Sequence, residues 1–145
     1  MNIKIKLMRE TSKLPEFKTS GAAGMDLYAD IKETIILKPS ETIKVPIGFA
    51  VQLETGTVMN ILGRSGNELK RIRVSHGTID EDYRGEISVI MSNDSSSDFI
   101  INPDDRIAQA TIHRIENISN NLELTIVKEL SSTQRGAGGF GHTGK

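Results

Sequence analysis

The chain has 145 residues, a net charge of −1, no cysteine, and 37% hydrophobic against 26% charged residues. This length suits one domain with one hydrophobic core, and the near-neutral charge offers no broad attraction to nucleic acid or to an anionic membrane. Without cysteine the chain forms no disulfide and no Cys-ligated metal site, and with neither an apolar membrane span nor a signal-peptide core we expect a cytoplasmic, intracellular protein.

Short β-strands are predicted along most of the chain. Residues 2–7 alternate between apolar and charged or polar side chains, which places Ile3, Ile5 and Leu7 on one face of a strand. Many short strands separated by turn residues favour an all-β sandwich, barrel or jelly roll. The further predicted strands span residues 34–37, 42–45, 49–53, 58–62, 87–91, 99–101, 107–115 and 122–127.

One short helix is predicted at residues 65–71, where Ser65 is a candidate N-cap and Glu68 follows three residues later. Aromatic residues make up only 4% of the chain and Trp is absent, so the core is expected to consist mostly of Ile, Leu and Val. The sequence shows no internal repeat and no linker. We therefore predict one β-domain over residues 1–134.

The last segment, residues 135–145, differs from the rest because it contains five of the 13 glycines. Such a segment cannot bury enough apolar surface to fold alone, and a disordered tail is one interpretation. Arg135 and Phe140 favour another, because they are an anion-binding group and a stacking ring among glycines that permit close backbone approach. We expect a mobile arm that closes over a phosphorylated planar ligand.

Residues 77–85 place acidic side chains around a tyrosine between two glycines, a pattern that predicts a tight β-hairpin. In an extended backbone Ile79 and Asp80 face opposite ways, so Ile79 anchors the segment while Asp80 points into a cleft. An aspartate there could deprotonate a water molecule, and Tyr83 could pack against a sugar. The alternative is a solvated acidic turn.

Two further segments carry polar groups beside apolar runs. Gly63-Arg64-Ser65-Gly66 precedes the predicted helix, where backbone amides, a guanidinium and a hydroxyl suit a phosphate, although such a tetrapeptide also occurs in plain turns. Asp26 lies among apolar and small residues, and is either a carboxylate directed at a metal or a structural hydrogen-bonding group.

A third polar segment is at residues 104–109. It is expected to supply an internal ion pair between Asp105 and Arg106, with Gln109 as a polar group directed into a site. The alternative is an exposed charge pair followed by a strand.

Taken in chain order, these segments resemble the five sequence motifs of the trimeric dUTPase family, and the resemblance runs from about Gly21 to the C-terminus. Motifs three and five are specific, so chance agreement of all five in order is negligible. The motifs correspond to Ala23-Gly24-Met25-Asp26-Leu27-Tyr28-Ala29, to Gly63-Arg64-Ser65-Gly66, to Gly77-Thr78-Ile79-Asp80-Glu81-Asp82-Tyr83-Arg84-Gly85-Glu86, to Asp105-Arg106-Ile107-Ala108-Gln109, and to residues 135–144.

The resemblance implies an antiparallel, jelly-roll-like subunit in a homotrimer, with active sites shared between subunits. It also implies Mg²⁺-dependent hydrolysis of dUTP to dUMP and diphosphate by attack of water on the α-phosphorus. A triphosphate carries several negative charges, so Mg²⁺ and arginine suit this reaction better than covalent chemistry does.

The resemblance further implies a role for each matching residue. Asp80 corresponds to the base that activates the attacking water, and Tyr83 to the ring under the deoxyribose. Asp26 corresponds to the acid that holds Mg²⁺, through water. The other residues implied to bind substrate are Gly77 and Ile79 near the uracil, Arg64, Ser65, Gly66 and Gln109 near the phosphates, and Arg135, Phe140 and Gly141 in the arm.

The chain departs from the family pattern at four positions, none of which is the proposed base or the tyrosine. Gly63 stands where Pro is frequent, Asn67 where Leu is frequent, Asp104 where Gly is usual, and His142 where Ser or Thr is usual. His142 leaves the arm's contact with phosphate open, since it could add a pH-dependent donor or lie in solvent.

Two other functions compete with this interpretation. The related dCTP deaminases carry a catalytic Glu in the strand that follows motif three, and here Ile90 takes that position. A jelly-roll module that binds a nucleotide as a switch would not need a complete catalytic set. The presence of Asp26, Asp80 and Arg135 together therefore favours turnover.

Overall fold

The computed structural model describes residues 1–116 and 122–138, and in these residues the chain is almost entirely β. All strand pairings are antiparallel, which confirms the predicted fold class. No helix of the described part is long and apolar enough to cross a membrane. The elements are β1 (Lys4–Leu7), β2 (Met25–Tyr28), β3 (Ile35–Leu37), β4 (Thr42–Pro46), β5 (Phe49–Gln52), β6 (Thr57–Leu62), α1 (Ser65–Leu69), β7 (Ile72–Val74), β8 (Gly77–Ile79), β9 (Ser88–Asn93), β10 (Phe99–Ile101) and β11 (Arg106–Arg114).

The strands form four small sheets. The largest has the order β2-β11-β6-β8, and the next has the order β4-β9-β7. Two strand pairs, β1-β5 and β10-β3, complete the set. Strands far apart in sequence are neighbours in every sheet, so each sheet draws together distant parts of the chain.

Aliphatic side chains fill the core, as the scarcity of aromatic residues predicts. One cluster of buried residues takes members from all four sheets, and the only ring in it is that of Phe49. Its largest fully buried members are Phe49, Leu27, Leu37, Ile47, Met59, Ile61, Ile72, Ile87, Met91, Ile101, Ile107 and Val45.

Three strands escape prediction from the sequence. β7 and β8 have three residues each and β2 has four, so none offers enough alternation to be recognised. β2 forms because residues 25–28 pair with the far longer β11. At the predicted strands the boundaries shift by at most two residues, except that no strand forms at residues 122–127.

The helix begins as predicted but is capped differently. Its N-cap is Arg64 rather than Ser65, and no side chain accepts a hydrogen bond from the first turn. Glu68 does not complete a capping box, because its carboxylate accepts a hydrogen bond of 2.6 Å from Arg73 Nη1. The prediction of Ser65 as the cap was therefore wrong.

The hairpin predicted at residues 77–85 is not present. β8 pairs with β6 in the largest sheet, whereas β9 pairs with β4 and β7 in the next. The acidic segment is instead a crossing between two sheets, with a turn in which the Tyr83 amide donates to the Asp80 carbonyl at 3.2 Å.

The strand predicted at residues 122–127 also fails to form within the chain. Residues 122–127 have no regular structure, and Leu122, Leu124 and Ile126 are 54%, 84% and 99% exposed. The apolar residues alternate as they do in a strand, but the peptide groups of a strand must form hydrogen bonds with a neighbouring strand. Among the described residues of the same chain it has none.

Candidate functional site

A cavity of about 270 Å³ opens where the chain crosses from β8 to β9. Ile79 packs against the core while Asp80 is exposed, and both residues border this cavity. Among the described residues the Asp80 carboxylate has no hydrogen-bond or ion-pair partner. We call this space the Asp80 cavity; its lining residues are Lys44, Thr78, Ile79, Asp80, Tyr83, Glu86, Ile87, Ser88 and Ile90.

Tyr83 lies across the backbone of Gly85 at the edge of the Asp80 cavity. Its hydroxyl donates to the Glu86 carbonyl at 3.1 Å, and its ring remains largely exposed. A Cβ added to Gly85 would lie 2.3 Å from the Tyr83 hydroxyl oxygen, closer than any real contact. Glycine at position 85 is therefore what allows the ring to lie here, and Tyr83 remains 43% exposed.

Glu86 is held from the opposite side by the N-terminal part of the chain. The Arg9 guanidinium contacts both carboxylate oxygens of Glu86, and its Nε donates to Asp30 Oδ2 at 2.8 Å. Asp30 also accepts a hydrogen bond of 2.7 Å from Ser12. We call Arg9, Ser12, Asp30 and Glu86 the Arg9 cluster. No sequence pattern indicates this cluster, since its members lie in three separate segments and only Glu86 falls within a motif.

Asp30 is the most buried charge of the Arg9 cluster, its side chain being 8% exposed. Burial acts most strongly on its pKa and raises it. Hydrogen bonds from Ser12 and Arg9 together outweigh burial, so the net pKa of Asp30 lies below the ordinary value of 3.8. Gly48 leaves room for this carboxylate, because a Cβ there would lie 2.0 Å from Asp30 Oδ2.

The lowered pKa of Asp30 predicts a pH-dependent contribution to stability. A carboxyl with a lower pKa in the folded state stabilises the protein above its unfolded pKa, and that contribution is lost as the pH falls through the folded pKa. Urea unfolding of Asp30→Asn should show a deficit in unfolding free energy at pH 7 that shrinks below about pH 4. Asp98→Asn, at an exposed residue, is the control; a deficit equally large at pH 3 would contradict this prediction.

A second group of polar residues gathers at the other end of the largest sheet. The Asp26 carboxylate lies between two guanidinium groups, 3.2 Å from Arg64 Nε and 3.0 Å from Arg106 Nη1. The predicted ion pair between Asp105 and Arg106 is therefore wrong. Asp105 instead accepts a hydrogen bond of 2.7 Å from the Asn102 amide, which leaves Arg106 to pair across the sheet.

Gln109 belongs to the same group, because it pairs with Asp26 in β2 and with Leu62 in β6. Its Nε2 donates to the Gly63 carbonyl at 2.8 Å. Gly24 makes room for its other amide atom, since a Cβ there would lie 2.6 Å from Oε1. The chain thus places Gln109 beside the segment predicted to bind phosphate.

Ser65 and Gly66 follow at the exposed start of α1. The first amides of a helix have no intrahelical partner, and the Ser65 hydroxyl has no hydrogen bond among the described residues. These donors lie next to Arg64, whose guanidinium pairs with Asp26 and donates to the Arg106 carbonyl at 2.8 Å. The donors suit an anion, and the nearby Asp26 carboxylate suits a cation bound to that anion.

One chain offers little by itself to hold a metal. No three His, Asp or Glu side chains cluster in the described residues. Asp26 is a single carboxylate, and both of its oxygens face arginines. Mg²⁺ is commonly held by one or two carboxylates together with substrate phosphates and water. The donor set therefore fits an ion that arrives with a triphosphate better than a resident ion.

The two groups lie far apart within one chain. Gly77 and Gln109 flank the end of β6, opposite Ile61 and Leu62 respectively. Asp80 lies beyond the other end, where it borders a cavity with Thr57 and Val58. At about 3.3 Å per strand residue, Asp80 and Arg64 are separated by roughly 20 Å along β6. A single chain does not bring the predicted base to the predicted phosphate-binding group.

The arm contributes to neither group in the described residues. Arg135 Nε donates to the Gly138 carbonyl at 2.9 Å, a bond within the arm itself. Phe140 and Gly141, predicted to bind substrate, and His142 lie outside the described residues.

Comparison with known proteins gives one consistent result. A family model for dUTPase matches residues 10–144. A deoxyuridine 5'-triphosphate nucleotidohydrolase of Fusobacterium nucleatum is 44% identical over 99% of this chain and 98% of its own. One of Orientia tsutsugamushi is 45% identical over 99% of both chains.

Solved structures give the same answer for the fold. A dUTPase of Staphylococcus bacteriophage 80alpha, described with dUpNHpp, superposes with a TM-score of 0.86 at 26% identity, over 99% of both chains. A mutant dUTPase of phage phi11 of S. aureus, described with a structural Mg(II) ion, has a TM-score of 0.77 at 24% identity, over 89% of this chain and 98% of its own.

Proposed function

The chain belongs to the dUTPase family, and from that premise we propose that it hydrolyses dUTP to dUMP and diphosphate by attack of water on the α-phosphorus. The enzyme class, a dUTP nucleotidohydrolase, follows from relatives that match nearly the whole chain. The observation that best supports the mechanism is the Asp80 cavity, which joins an unpaired carboxylate to the exposed face of Tyr83.

In this proposal Asp80 is the general base. A base must reach the proton that it removes, and an exposed carboxylate without a partner in the described residues is free to orient a water molecule. Ion-pairing with a protein cation would compete with that role. The nearby acid Glu86 is already paired with Arg9. Asp80 is therefore the better candidate of the two.

We propose that Tyr83 and the backbone of β8 select deoxyuridine. β8 is the last strand of its sheet, so one edge pairs with β6 and the other has no strand partner among the described residues. Peptide groups of Gly77 and Ile79 on the open edge could pair with uracil, whereas cytosine would present donors to donors. The ring of Tyr83 would lie under the deoxyribose and leave no room for a 2′-hydroxyl.

The second group is assigned to the phosphates. Arg64, Ser65, Gly66 and Gln109 would bind their oxygens through the guanidinium, hydroxyl and amide donors described above. Asp26 would hold Mg²⁺ through water. Bound Mg²⁺ would neutralise phosphate charge and make diphosphate a better leaving group.

The arm is assigned to the terminal phosphate and the base. Arg135 would bind the γ-phosphate, while Phe140 and Gly141 would cover the uracil. Residues 1–134 are the β-domain in this proposal, and residues 135–145 are the arm that closes over a site.

We further propose a homotrimer with shared active sites. Residues roughly 20 Å apart on one chain can serve one triphosphate only if a second chain supplies one of the groups. Residues 122–127 alternate like a strand yet expose Leu122, Leu124 and Ile126, a face that another subunit could cover. No role for nucleic acid or membrane is proposed, and a cytoplasmic location suits the substrate.

A substrate panel tests this function. Diphosphate release should be rapid with dUTP and Mg²⁺, and slow with UTP, dCTP and dTTP. EDTA should abolish turnover of dUTP, and excess Mg²⁺ should restore it. Ammonia release from dCTP would support a deaminase instead, for which the cavity offers Ile90 in place of the expected Glu. Binding of dUTP without any turnover would support the switch module.

A further inference from the structure

Two carboxylates border the Asp80 cavity, but only one of them is unpaired. Asp80 has no partner among the described residues, whereas Glu86 contacts the Arg9 guanidinium through both oxygens. Arg9 is fixed in turn, because its Nε donates to the buried carboxylate of Asp30 at 2.8 Å. The guanidinium thus approaches Glu86 from outside the cavity, in a direction set by the Arg9 cluster.

We propose that Arg9 is a positioning residue that neutralises Glu86 and holds its carboxylate, so that Asp80 is the only free anion facing the substrate. This inference rests on the proposed role of Asp80 as the base. An unpaired Glu86 would repel a triphosphate and would favour protonation of a neighbouring carboxylate. It would also offer the attacking water a second, misplaced acceptor.

The other charges near the two carboxylates do not replace Arg9. Lys44 from β4 is the only cation among the described residues that line the Asp80 cavity. It has no ion pair among the described residues, so Glu86 is paired with Arg9 rather than with Lys44. Glu81 and Asp82 border Asp80 on its other side, and Glu81 accepts a hydrogen bond from the Gly56 amide at 2.5 Å.

The Arg84 guanidinium, the remaining cation of the turn, donates to the carbonyls of Glu81 and Tyr83. It is therefore directed at backbone rather than at Glu86. Asp30 accepts from Arg9 Nε and so fixes the guanidinium. The two terminal nitrogens of the guanidinium are left to contact Glu86. The local balance of charge around Asp80 is acidic without Arg9.

If Arg9 only linked the N-terminal segment to the turn, its effect would not depend on the balance of charge around Asp80. These two roles of Arg9 can be distinguished by measurement. The Tyr83 hydroxyl bonds the carbonyl of Glu86, and the next amide, that of Ile87, donates to the Phe49 carbonyl at 3.0 Å. That peptide group is thus anchored to the core independently of Arg9. Loss of Arg9 should therefore free the Glu86 side chain more than it moves Tyr83.

The test uses Arg9→Gln, Glu86→Gln and the double variant in the full chain, with dUTP and Mg²⁺. In Arg9→Gln the acid limb of the pH profile of kcat/KM should move upward by about half a pH unit or more, because the profile reports the free base. KM for dUTP should rise several-fold. In the double variant both changes should return close to wild type, since the uncompensated carboxylate is gone.

Lys13→Gln is the matched control. Lys13 lies in the same N-terminal segment, forms an ion pair of 2.9 Å with Asp104, and its removal changes the net charge equally. Its pH profile should coincide with that of wild type. Arg9→Lys should rescue most of the shift, because one ammonium still neutralises Glu86 even though it cannot bridge two carboxylates.

Several outcomes would overturn the inference. If Arg9→Gln lowers thermal stability but leaves the acid limb in place, Arg9 is only a structural contact. The same conclusion holds if the double variant is no better than Arg9→Gln. Should Arg9→Gln fail to fold, Glu86→Gln decides alone: an acid limb that moves downward would mean that Glu86 acts on Asp80 in spite of Arg9. Failure of the proposed base would appear separately, as near-normal kcat in Asp80→Asn.

Discussion

Replacing Asp80 by Asn should lower kcat by about 10²–10⁴-fold, the usual contribution of a general base. The amide has the same size but cannot accept a proton, so the change acts on the chemical step. Asp80 is exposed and its carboxylate has no hydrogen-bond or ion-pair partner among the described residues, so the fold should not depend on its charge. Binding of a non-hydrolysable dUTP analogue should therefore remain near wild type, while diphosphate release slows.

Asp82→Asn is the control for this experiment. Asp82 lies in the same turn, is exposed, and borders the neighbouring cavity rather than the Asp80 cavity. It removes the same charge two residues away, so general electrostatic effects on a triphosphate should appear in both variants. A loss of kcat in Asp82→Asn as large as in Asp80→Asn, or a near-normal kcat in the latter, would contradict the assignment.

A chain that ends at residue 134 should lose about 10²-fold or more in kcat/KM for dUTP. Residues 135–138 are the described part of the arm, and there the Arg135 guanidinium has only the Gly138 carbonyl as a partner. Loss of a charge-assisted bond to phosphate, and of the closure that excludes water, accounts for an effect of this size. The β-domain should keep its melting temperature, since residues 135–137 are exposed and no residue in the described part of the arm belongs to the buried core.

Mixing the truncated chain with Asp80→Asn then tests whether sites are shared. Each variant alone should be nearly inactive, but after subunit exchange some sites would combine an intact Asp80 with an intact arm. Recovery of part of the wild-type activity is expected, together with a trimeric mass in solution. A fully active monomer, or the absence of any recovery after proven exchange, would exclude the shared site. Each variant mixed with itself is the control.

Periodicity and motif together predict most of this molecule, for a physical reason. A strand of five or more residues with one buried face must alternate, and β4 and β9 follow that pattern. β6 buries three successive residues and β11 contains a bulge, but both are long apolar runs that still indicate strands. Motif residues such as Asp80 and Tyr83 lie close together in the sequence, so one short segment brings both of them to the same cavity. Their chemistry is visible before any fold is known.

What the sequence did not predict depends on contacts between distant segments. Arg106 pairs with Asp26 across 80 positions rather than with its neighbour Asp105. Arg9 reaches Glu86 across 77 positions. Neither partner choice follows from residue type, because any nearby acid would suit an arginine; the sheet registers decide. The predicted hairpin is absent for the same reason, because β8 and β9 pair with other strands in two different sheets.

The open edge of β8 has a consequence for how this site can change by mutation. The groups that we assign to uracil there are peptide N–H and C=O groups, which every residue except proline supplies in full. Thr78 is exposed at the Asp80 cavity, and replacing its side chain leaves the peptide groups of that edge in place. Selection for another base would need a shifted register or a proline, both of which disturb the sheet. Sugar selection, in contrast, depends on Tyr83 and Gly85, and one nucleotide change in the gene can alter either of them. Variants that accept ribonucleotides should therefore arise far more often in a random library than variants that accept cytosine.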